Sequence, residues 1–144
     1  SIYSSTGYWM TRLARAMESD FESRLVAHGM TRASWAVLSA ILHDNKTTPA
    51  ALASFIGIDC AAISRHLDLI EKQGLVVRDS SLSDRRSVNL NVTKKGARLA
   101  PKIIADSKAT NARFLSGLNR SEIDQLLEIA RKMLSNAEVV PGDI

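Results

Sequence analysis

The stretch from Asp59 to Arg98 constrains the fold more than any other part of the chain. Its first half places apolar residues at helical spacing, which predicts a short helix whose buried stripe is Ile63, Leu67 and Ile70. Asp59 is a suitable N-cap and Gly74 a suitable left-handed stop, so we expect a helix of about four turns. Such a helix fits the major groove of B-DNA, which is about 12 Å wide.

Two short strands are predicted directly after this helix. Residues 75–77 are rich in β-forming side chains, and a second segment alternates apolar and polar residues with Val88, Leu90 and Val92 on one side. We therefore expect a two-stranded ribbon.

The loop between the strands carries two adjacent arginines, Arg85 and Arg86, which have no packing role there. A narrow ribbon with guanidinium groups at its tip can enter a minor groove. Asp84 is placed to orient Arg86, although an exposed ion pair of this kind adds little stability.

These two patterns resemble the winged helix-turn-helix of the MarR family of bacterial transcription regulators. The family's wing motif, Asp-x-Arg followed by Leu-Thr, is matched by Asp84, Arg86, Val92 and Thr93, with valine replacing the usual leucine. Its recognition-helix pattern is matched by Ser64, Arg65, Leu67, Asp68, Ile70, Glu71, Gly74 and Leu75. The resemblance covers almost the whole chain and implies a mainly α (α+β) fold.

Charge is concentrated in the same region. Residues 65–102 contain nine Lys and Arg against four acidic residues, a net +5, whereas the rest of the chain carries −1. A basic segment within a balanced protein is the electrostatic footprint expected of nucleic-acid binding. A solvated face without a partner is the alternative reading of such a cluster.

Length and composition limit the class of protein and the cellular compartment in which it can work. The 144 residues suffice for one domain with an appended helical lobe, and no apolar run approaches the roughly 20 residues that cross a bilayer. The single cysteine, Cys60, excludes an internal disulfide framework and fits a reducing compartment. We expect a cytoplasmic protein, and because residue 1 is serine, the numbering is expected to begin inside a longer gene product.

Helices are predicted on both sides of this region. An N-terminal helix from about Gly7 to Ala27 carries a wide apolar stripe that includes Trp9, Leu13, Met17, Phe21 and Leu25. Thr31 starts a helix that runs to about His43, and Thr48 with Pro49 starts a short one that ends at Gly57. Thr93 caps a long helix to about Gly117, bent at Pro101, and Asn119 with Glu122 opens the last helix.

The last two helices are more apolar than a winged helix alone requires, which indicates an interface. The resemblance implies a homodimer in which residues 1–30 and 94–144 form the dimerisation lobe and residues 31–93 bind DNA. Two recognition helices would then lie about 34 Å apart and read an inverted repeat. A monomer with residues 94–137 folded back into its core is the alternative.

Candidate DNA contacts come from the helix-turn-helix and the wing. Arg65 is placed to bind guanine or a phosphate, and short side chains beside it allow close approach. Arg86 is the strongest single candidate and Arg85 the next. The full set is Thr47, Thr48, Ala61, Ala62, Ser64, Arg65, His66, Asp84, Arg85, Arg86 and Ser87.

MarR regulators commonly hold a small aromatic acid or lipophilic anion between the dimer helices and the winged lobe. The residues of this chain on the corresponding elements are Trp9, Met10, Leu13, Trp35 and His43. A tryptophan at helical spacing is, however, more often part of a core than of a ligand wall. A ligand that favours a misfitting spacing of the recognition helices would release DNA.

Other classes of function are disfavoured. The histidines show no metal-ligand spacing, no cofactor motif is present, and no nucleophile elbow or phosphate-binding glycine loop indicates an enzyme. For Cys60 we expect a small buried side chain rather than a redox sensor. The prediction is a repressor released by a ligand; the rivals are a ligand-independent DNA-binding protein and an interaction adaptor that has lost DNA binding.

Overall fold

The computed structural model describes residues 1–79 and 88–137. Within them lie six α-helices and one two-stranded sheet, in the order that the sequence predicts. The elements are α1 (Thr6–Val26), α2 (Arg32–Asp44), α3 (Pro49–Ile56), α4 (Cys60–Lys72), β1 (Val76–Asp79), β2 (Asn89–Val92), α5 (Lys94–Phe114) and α6 (Arg120–Asn136). A short 3-10 turn at Ile2–Ser4, which we did not predict, precedes α1. The mainly helical α+β class is confirmed.

Helix boundaries are set by local side-chain chemistry. Each helix begins after a small polar residue whose side chain accepts a backbone hydrogen bond in the first turn; the six caps are Ser5, Thr31, Thr48, Asp59, Thr93 and Asn119. Left-handed glycines follow α1, α3 and α4, with φ of +66°, +80° and +75° at Gly29, Gly57 and Gly74. Only α5 departs clearly from expectation, because it ends at Phe114 rather than near Gly117.

The ribbon is antiparallel, with Val76 opposite Val92 and Asp79 opposite Asn89. Leu90 fixes it to the rest of the chain: its side chain is fully buried and its backbone N–H donates to the Thr47 carbonyl at 2.8 Å. The predicted ribbon is thus confirmed. The loop that joins its strands, which holds the predicted Asp84, Arg85, Arg86 and Ser87, lies outside the described residues.

The core lies between α2, α3, α4 and the ribbon, and the facing parts of α1 and α5 close it. The predicted stripe of α4, formed by Ile63, Leu67 and Ile70, is at most 1% exposed. Burying a side chain of this size stabilises the fold by about 1.5–3 kcal/mol. The core therefore holds α4 along its buried face and leaves the other face of this helix free.

Gly96 marks the closest approach between α5 and the turn after α4. A Cβ at this position would lie 2.4 Å from the Leu75 carbonyl oxygen and 2.8 Å from Cγ1 of Val92. Thr93, just before α5, donates its hydroxyl to the Gly74 carbonyl at 2.6 Å. The start of α5 is thereby fixed to the turn that follows α4.

Asp20 joins α1 to α5. Its carboxylate, 7% exposed, accepts hydrogen bonds from the Thr110 hydroxyl at 2.7 Å, from Arg24 at 3.0 Å and from Arg113. The Thr110 bond, followed by those from Arg24 and Arg113, lowers the pKa of Asp20 from 3.8 to about 2. Asp20 therefore stays ionised wherever the protein is folded near neutral pH.

The apolar stripe predicted along α1 is only partly buried. Leu25 is fully buried and Met17 and Phe21 are half-buried, but Trp9 and Leu13 are 51% and 38% exposed. As predicted, α5 is one helix that contains Pro101. The prediction for Cys60 is wrong: Cys60 is exposed rather than buried, because the first turn of α4 projects beyond the core.

α6 stands apart from the rest of its own chain. None of its residues is buried, and it makes no substantial contact with another described element. Ile129 and Met133 are 55% and 49% exposed, and Leu126 and Leu127 are exposed beside them. In the part of the chain that the structure describes, no single helix is long and apolar enough to span a membrane; only α3 and α4 together reach that length and composition, and they are bent by 112°.

Candidate nucleic-acid interface

α3 and α4 form a bent pair of helices joined by a tight turn. The left-handed Gly57 ends α3, and the Asp59 carboxylate accepts the Ala62 N–H at 2.7 Å to begin α4. The two helices are related by a bend of 112°. This is the arrangement in which the second helix of a helix-turn-helix is presented to the major groove.

The free face of α4 carries small residues and one cation. Ala61, Ser64 and Arg65 are exposed, and Ala62 is half-buried beside them. Arg65 makes no ion pair with any other residue in the described ranges, so its guanidinium donors are available to a ligand. A guanidinium flanked by short side chains can reach the floor of a groove and donate to guanine O6 and N7.

His66 does not belong to that face. It is half-buried and lines a groove on the other side of α4, together with Phe21, Arg32, Trp35 and Ile56. Its proximity to DNA phosphate stays a prediction, and the fold makes it a partly packed side chain. The reason is helical geometry, because a residue three positions after the buried Ile63 turns toward the core side of the helix.

Thr47 and Thr48 lie just before α3 and are half-buried. The Thr48 hydroxyl oxygen accepts the Ala51 N–H at 3.2 Å, which caps α3, and the Thr47 carbonyl accepts from Leu90. The hydroxyl protons of both residues remain free for an acceptor in the hydrogen bonds found among the described residues. Phosphate oxygens are acceptors of this kind.

Arg78 ties the base of the wing to the recognition helix, a contact that our sequence analysis missed. It projects from β1 and donates to the Asp68 carboxylate at 2.6 Å, and it lies 3.6 Å from Glu71. The available signal was the pair of acids one turn apart on α4, facing a basic strand residue ten positions later. The ion pair fixes the direction in which the ribbon leaves α4.

The predicted ligand residues are not brought together within one chain. Trp35 lines the groove that also contains His66, which has a volume of about 680 Å³. Trp9, Met10 and Leu13 lie at the start of α1, and Trp9 is roughly 18 Å along the helix axis from Phe21 of the groove. His43 is exposed at the far end of α2.

The N-terminal aromatic residues form a cluster of their own. Tyr3, Tyr8 and Trp9 pack with ring centroids 5.2–6.5 Å apart, and the Trp9 indole N–H donates to the Tyr3 carbonyl at 2.8 Å. In residues 1–79 and 88–137, no group of three or more His, Cys, Asp or Glu side chains is arranged to hold a metal ion.

A helix that packs one face on the core, follows a tight turn after another helix and precedes an antiparallel ribbon defines a winged helix-turn-helix protein. Comparison with known proteins narrows this class. Residues 28–87 match the sequence profile of the MarR family. The transcriptional regulator PA3341 is 29% identical, with 93% of this chain and 98% of that chain covered and a TM-score of 0.74.

Two further solved structures share the fold. CouR from Rhodococcus jostii RHA1, bound to p-coumaroyl-CoA, is 24% identical over 92% of this chain and 94% of its own, with a TM-score of 0.72. The organohalide-sensing regulator RdhR, in its 2,4-dichlorophenol-bound form, is 18% identical over 88% and 76%, with a TM-score of 0.74. The helix-turn-helix region thus matches the MarR family, and the fold over most of the chain is that of solved transcriptional regulators.

Proposed function

We propose that this protein is a cytoplasmic, homodimeric repressor that binds an inverted-repeat operator and is released by a small aromatic or lipophilic ligand. The observation that carries the proposal is the free face of α4, where Arg65 stands without an acidic partner among the described residues. A buried stripe on the opposite face holds the helix rigidly. Rigid presentation of a free guanidinium is what groove recognition requires.

The wing completes the proposed contact with DNA. Arg86, with Arg85 beside it, is the residue that the family's wing motif assigns to the minor groove. Arg78, in the described part of the ribbon, supports this assignment because its hydrogen bond to Asp68 orients β1 relative to α4. Thr47 and Thr48, at the start of the helix-turn-helix, would donate to backbone phosphates.

Dimerisation is supported by two exposed apolar surfaces. The first is the N-terminal cluster with Trp9 and Met10; the second is the face of α6 that includes Ile129 and Met133. Soluble monomers rarely expose large contiguous apolar patches. We assign residues 1–30 and 94–144 to a dimerisation lobe and residues 31–93 to the DNA-binding domain, with the recognition helices about 34 Å apart.

Gel shifts on the intergenic DNA upstream of the gene test DNA binding, and light scattering tests the dimer. We expect a mass of two chains and an affinity that falls at least about tenfold between 50 and 200 mM salt, because several phosphate contacts release counterions. Arg65→Ala and Arg86→Ala should each weaken specific binding by about 1–3 kcal/mol. Lys108→Ala, an exposed cation of α5, is the control of equal charge.

Two results would overturn this assignment. If the protein has the mass of one chain and binds no duplex fragment at low salt, the interaction adaptor is the better interpretation. Equal losses of DNA affinity in Arg65→Ala and Lys108→Ala would show that binding depends on the net charge of the protein and not on contacts between α4 and base edges.

The ligand is supported by the groove beside Trp35. Its walls are apolar at Phe21, Trp35 and Ile56, and Arg32 and His66 supply polar groups at its edge. A few polar groups in an apolar cleft of this size are typical of small-molecule sites. The groove separates α1 and α2 from α4, so an occupant that fits only one arrangement of these helices would shift their spacing.

Trp35 offers a direct optical test, because the chain has only two tryptophans. In Trp9→Phe, we expect 2,4-dichlorophenol or p-coumaroyl-CoA to change Trp35 emission saturably and to release operator DNA over the same concentration range. Trp35→Phe, which retains only Trp9, should show no saturable change. If neither variant shows a saturable change in tryptophan emission and neither compound releases DNA, the ligand-independent DNA-binding protein is the better description.

A further inference from the structure

Gln73, the residue that caps the C-terminal end of α4, is hydrogen-bonded to the ends of two long helices. Its side-chain Nε2 donates to the Gly29 carbonyl, in the turn after α1, at 2.7 Å. Its backbone carbonyl accepts from Nζ of Lys95, in the first turn of α5, also at 2.7 Å. We call the bond between the Gln73 side chain and Gly29 the α1–α4 link.

The Gly29 carbonyl is a fixed acceptor. Gly29 has a φ of +66°, and a Cβ added to it would lie 3.0 Å from Nε2 of Gln73, so the amide packs closely against this turn. The preceding residue, His28, lies 2.8 Å from the Asp106 carboxylate of α5. The turn after α1 is therefore held to α5 on one side and to the end of α4 on the other.

Among the described residues, α1 and α4 share little other directional contact. α1 packs chiefly on α5, whereas α4 packs on α2, α3 and β1. The groove lined by Phe21 of α1 and His66 of α4 separates the middle parts of the two helices. Where both contribute to the core, through Leu25 and Leu67, the contact is apolar and has no preferred direction. A hydrogen bond depends steeply on distance and angle, so the α1–α4 link is the contact that fixes the angle between these helices.

Stability does not explain why residue 73 carries an amide. Nε2 of Gln73 is engaged with Gly29, but Oε1 is buried and has no donor among the described residues. A buried acceptor without a partner is destabilising, and the exposed Gly29 would find a hydrogen bond in water without Gln73. An apolar side chain of similar length would avoid the unmet acceptor. What the amide adds is a defined distance between the ends of α1 and α4.

The α1–α4 link lies at the opposite end of α4 from the residues proposed to read DNA. Ala61, in the first turn, is roughly 18 Å along the helix axis from Gln73. Base edges are contacted by the N-terminal part of a recognition helix. A rotation of about 10° at Gln73 would move the first turn by roughly 3 Å, far more than the misplacement of about 0.5 Å that a binding site tolerates. A small change of angle at one end of α4 therefore becomes a loss of fit at the other.

We propose that Gln73 is a positioning residue for DNA recognition: its bond to Gly29 sets the angle between α1 and α4, and so the direction in which α4 presents Arg65. This inference rests on the proposed function, in which α1 belongs to the dimerisation lobe and α4 reads the operator. In a dimer held through α1, the same angle fixes how the two copies of α4 are spaced. Gln73 acts through α4 and needs no contact with DNA.

Gln73→Met removes the link and keeps an unbranched side chain of similar length. Asn111→Met, at an exposed amide of α5, is the matched control. In gel shifts, we expect Gln73→Met to weaken binding to the upstream intergenic DNA at least about tenfold, because misaligned helices lose base contacts. Its affinity for a scrambled duplex should change less than about twofold, since non-specific binding depends on cations that are unchanged. The melting temperature should move by less than about 4 °C.

Residual dipolar couplings of backbone amides measure the orientation of α4 relative to α1 without DNA. In the ¹⁵N-labelled full-length wild type and in Asn111→Met, we expect one alignment tensor to fit the couplings of both helices. In Gln73→Met, the couplings of α4 should require a rotation of about 10° or more from the tensor of α1, or be scaled down by motion between the helices. A loss of stability alone would leave the couplings of the folded protein unchanged.

Three outcomes would overturn the proposal. Couplings of α4 that still fit the tensor of α1 in Gln73→Met would show that the link does not set the angle. Rotated couplings with unchanged operator affinity would show that the angle does not govern recognition. Equal losses of affinity for both duplexes would make Gln73 a residue of stability or of phosphate contact. A wild type that binds no duplex would instead refute the proposed function, and the couplings would still decide whether Gln73 orients α4.

Discussion

Replacing Gly96 by alanine should destabilise the protein, against the usual preference of helices for alanine. The new Cβ would stand 2.4 Å from the Leu75 carbonyl oxygen, so restoring a normal contact of about 3.5 Å requires a shift of roughly 1 Å. The neighbours are backbone and a branched side chain, which cannot rotate away. Overpacking of this kind costs about 1–3 kcal/mol, offset by about 0.5–1 kcal/mol from the loss of a helical glycine.

Gly7→Ala is the matched control. Gly7 also lies in the first turn of a helix, but its added Cβ would meet only Ser5 Oγ, at an ordinary 3.6 Å. This variant should therefore gain up to about 1 kcal/mol. Thermal unfolding at one fixed protein concentration should separate the two variants by about 8 °C, at roughly 4 °C per kcal/mol for a chain of this size.

Equal melting temperatures for Gly96→Ala and Gly7→Ala would refute the reasoning. They would mean that α5 does not approach the turn after α4 as closely as the structure shows. If Gly96→Ala had normal stability but weakened DNA binding, the stability prediction would also be refuted. In that case the protein would have made room for the new Cβ by moving α4.

Three further expectations concern the helix ends and ion pairs. Asp59→Ala removes the cap of α4 and should cost about 1 kcal/mol in urea unfolding, more than Asp59→Asn. Arg78→Gln should change stability by less than about 1 kcal/mol, as exposed ion pairs do, yet weaken operator binding in gel shifts because the wing loses its direction. The pKa of Asp20 is lower in the folded than in the unfolded chain, so its stabilisation is complete above pH 4 and is lost as pH falls toward 2. Asp20→Asn should flatten acid unfolding in that window; an unchanged acid profile would contradict the bond network around it.

Local chemistry made most of the fold predictable. The caps at Thr31, Thr48 and Thr93 and the stop at Gly74 act through groups a few residues away, so short patterns contain the information. Alternation in β2 likewise reports directly on which residues face the core. These predictions are confirmed at nearly every boundary.

Contacts between distant elements were not predictable. Arg78 with Asp68, and Asp20 with Thr110, join residues whose proximity depends on how the helices cross. The groove that His66 lines was not predictable for a related reason. The helical period of the apolar residues predicts the buried stripe of α4. The width of its exposed face depends instead on which elements pack beside the helix.

The isolation of α6 bears on how the protein is made. A helix of 17 residues with no buried side chain is marginal in water by itself. In the proposed homodimer, α6 would therefore be stabilised only when two copies associate. Copies that have not yet associated would be open to proteolysis at α6, so the rate of association would limit the abundance of the proposed regulator.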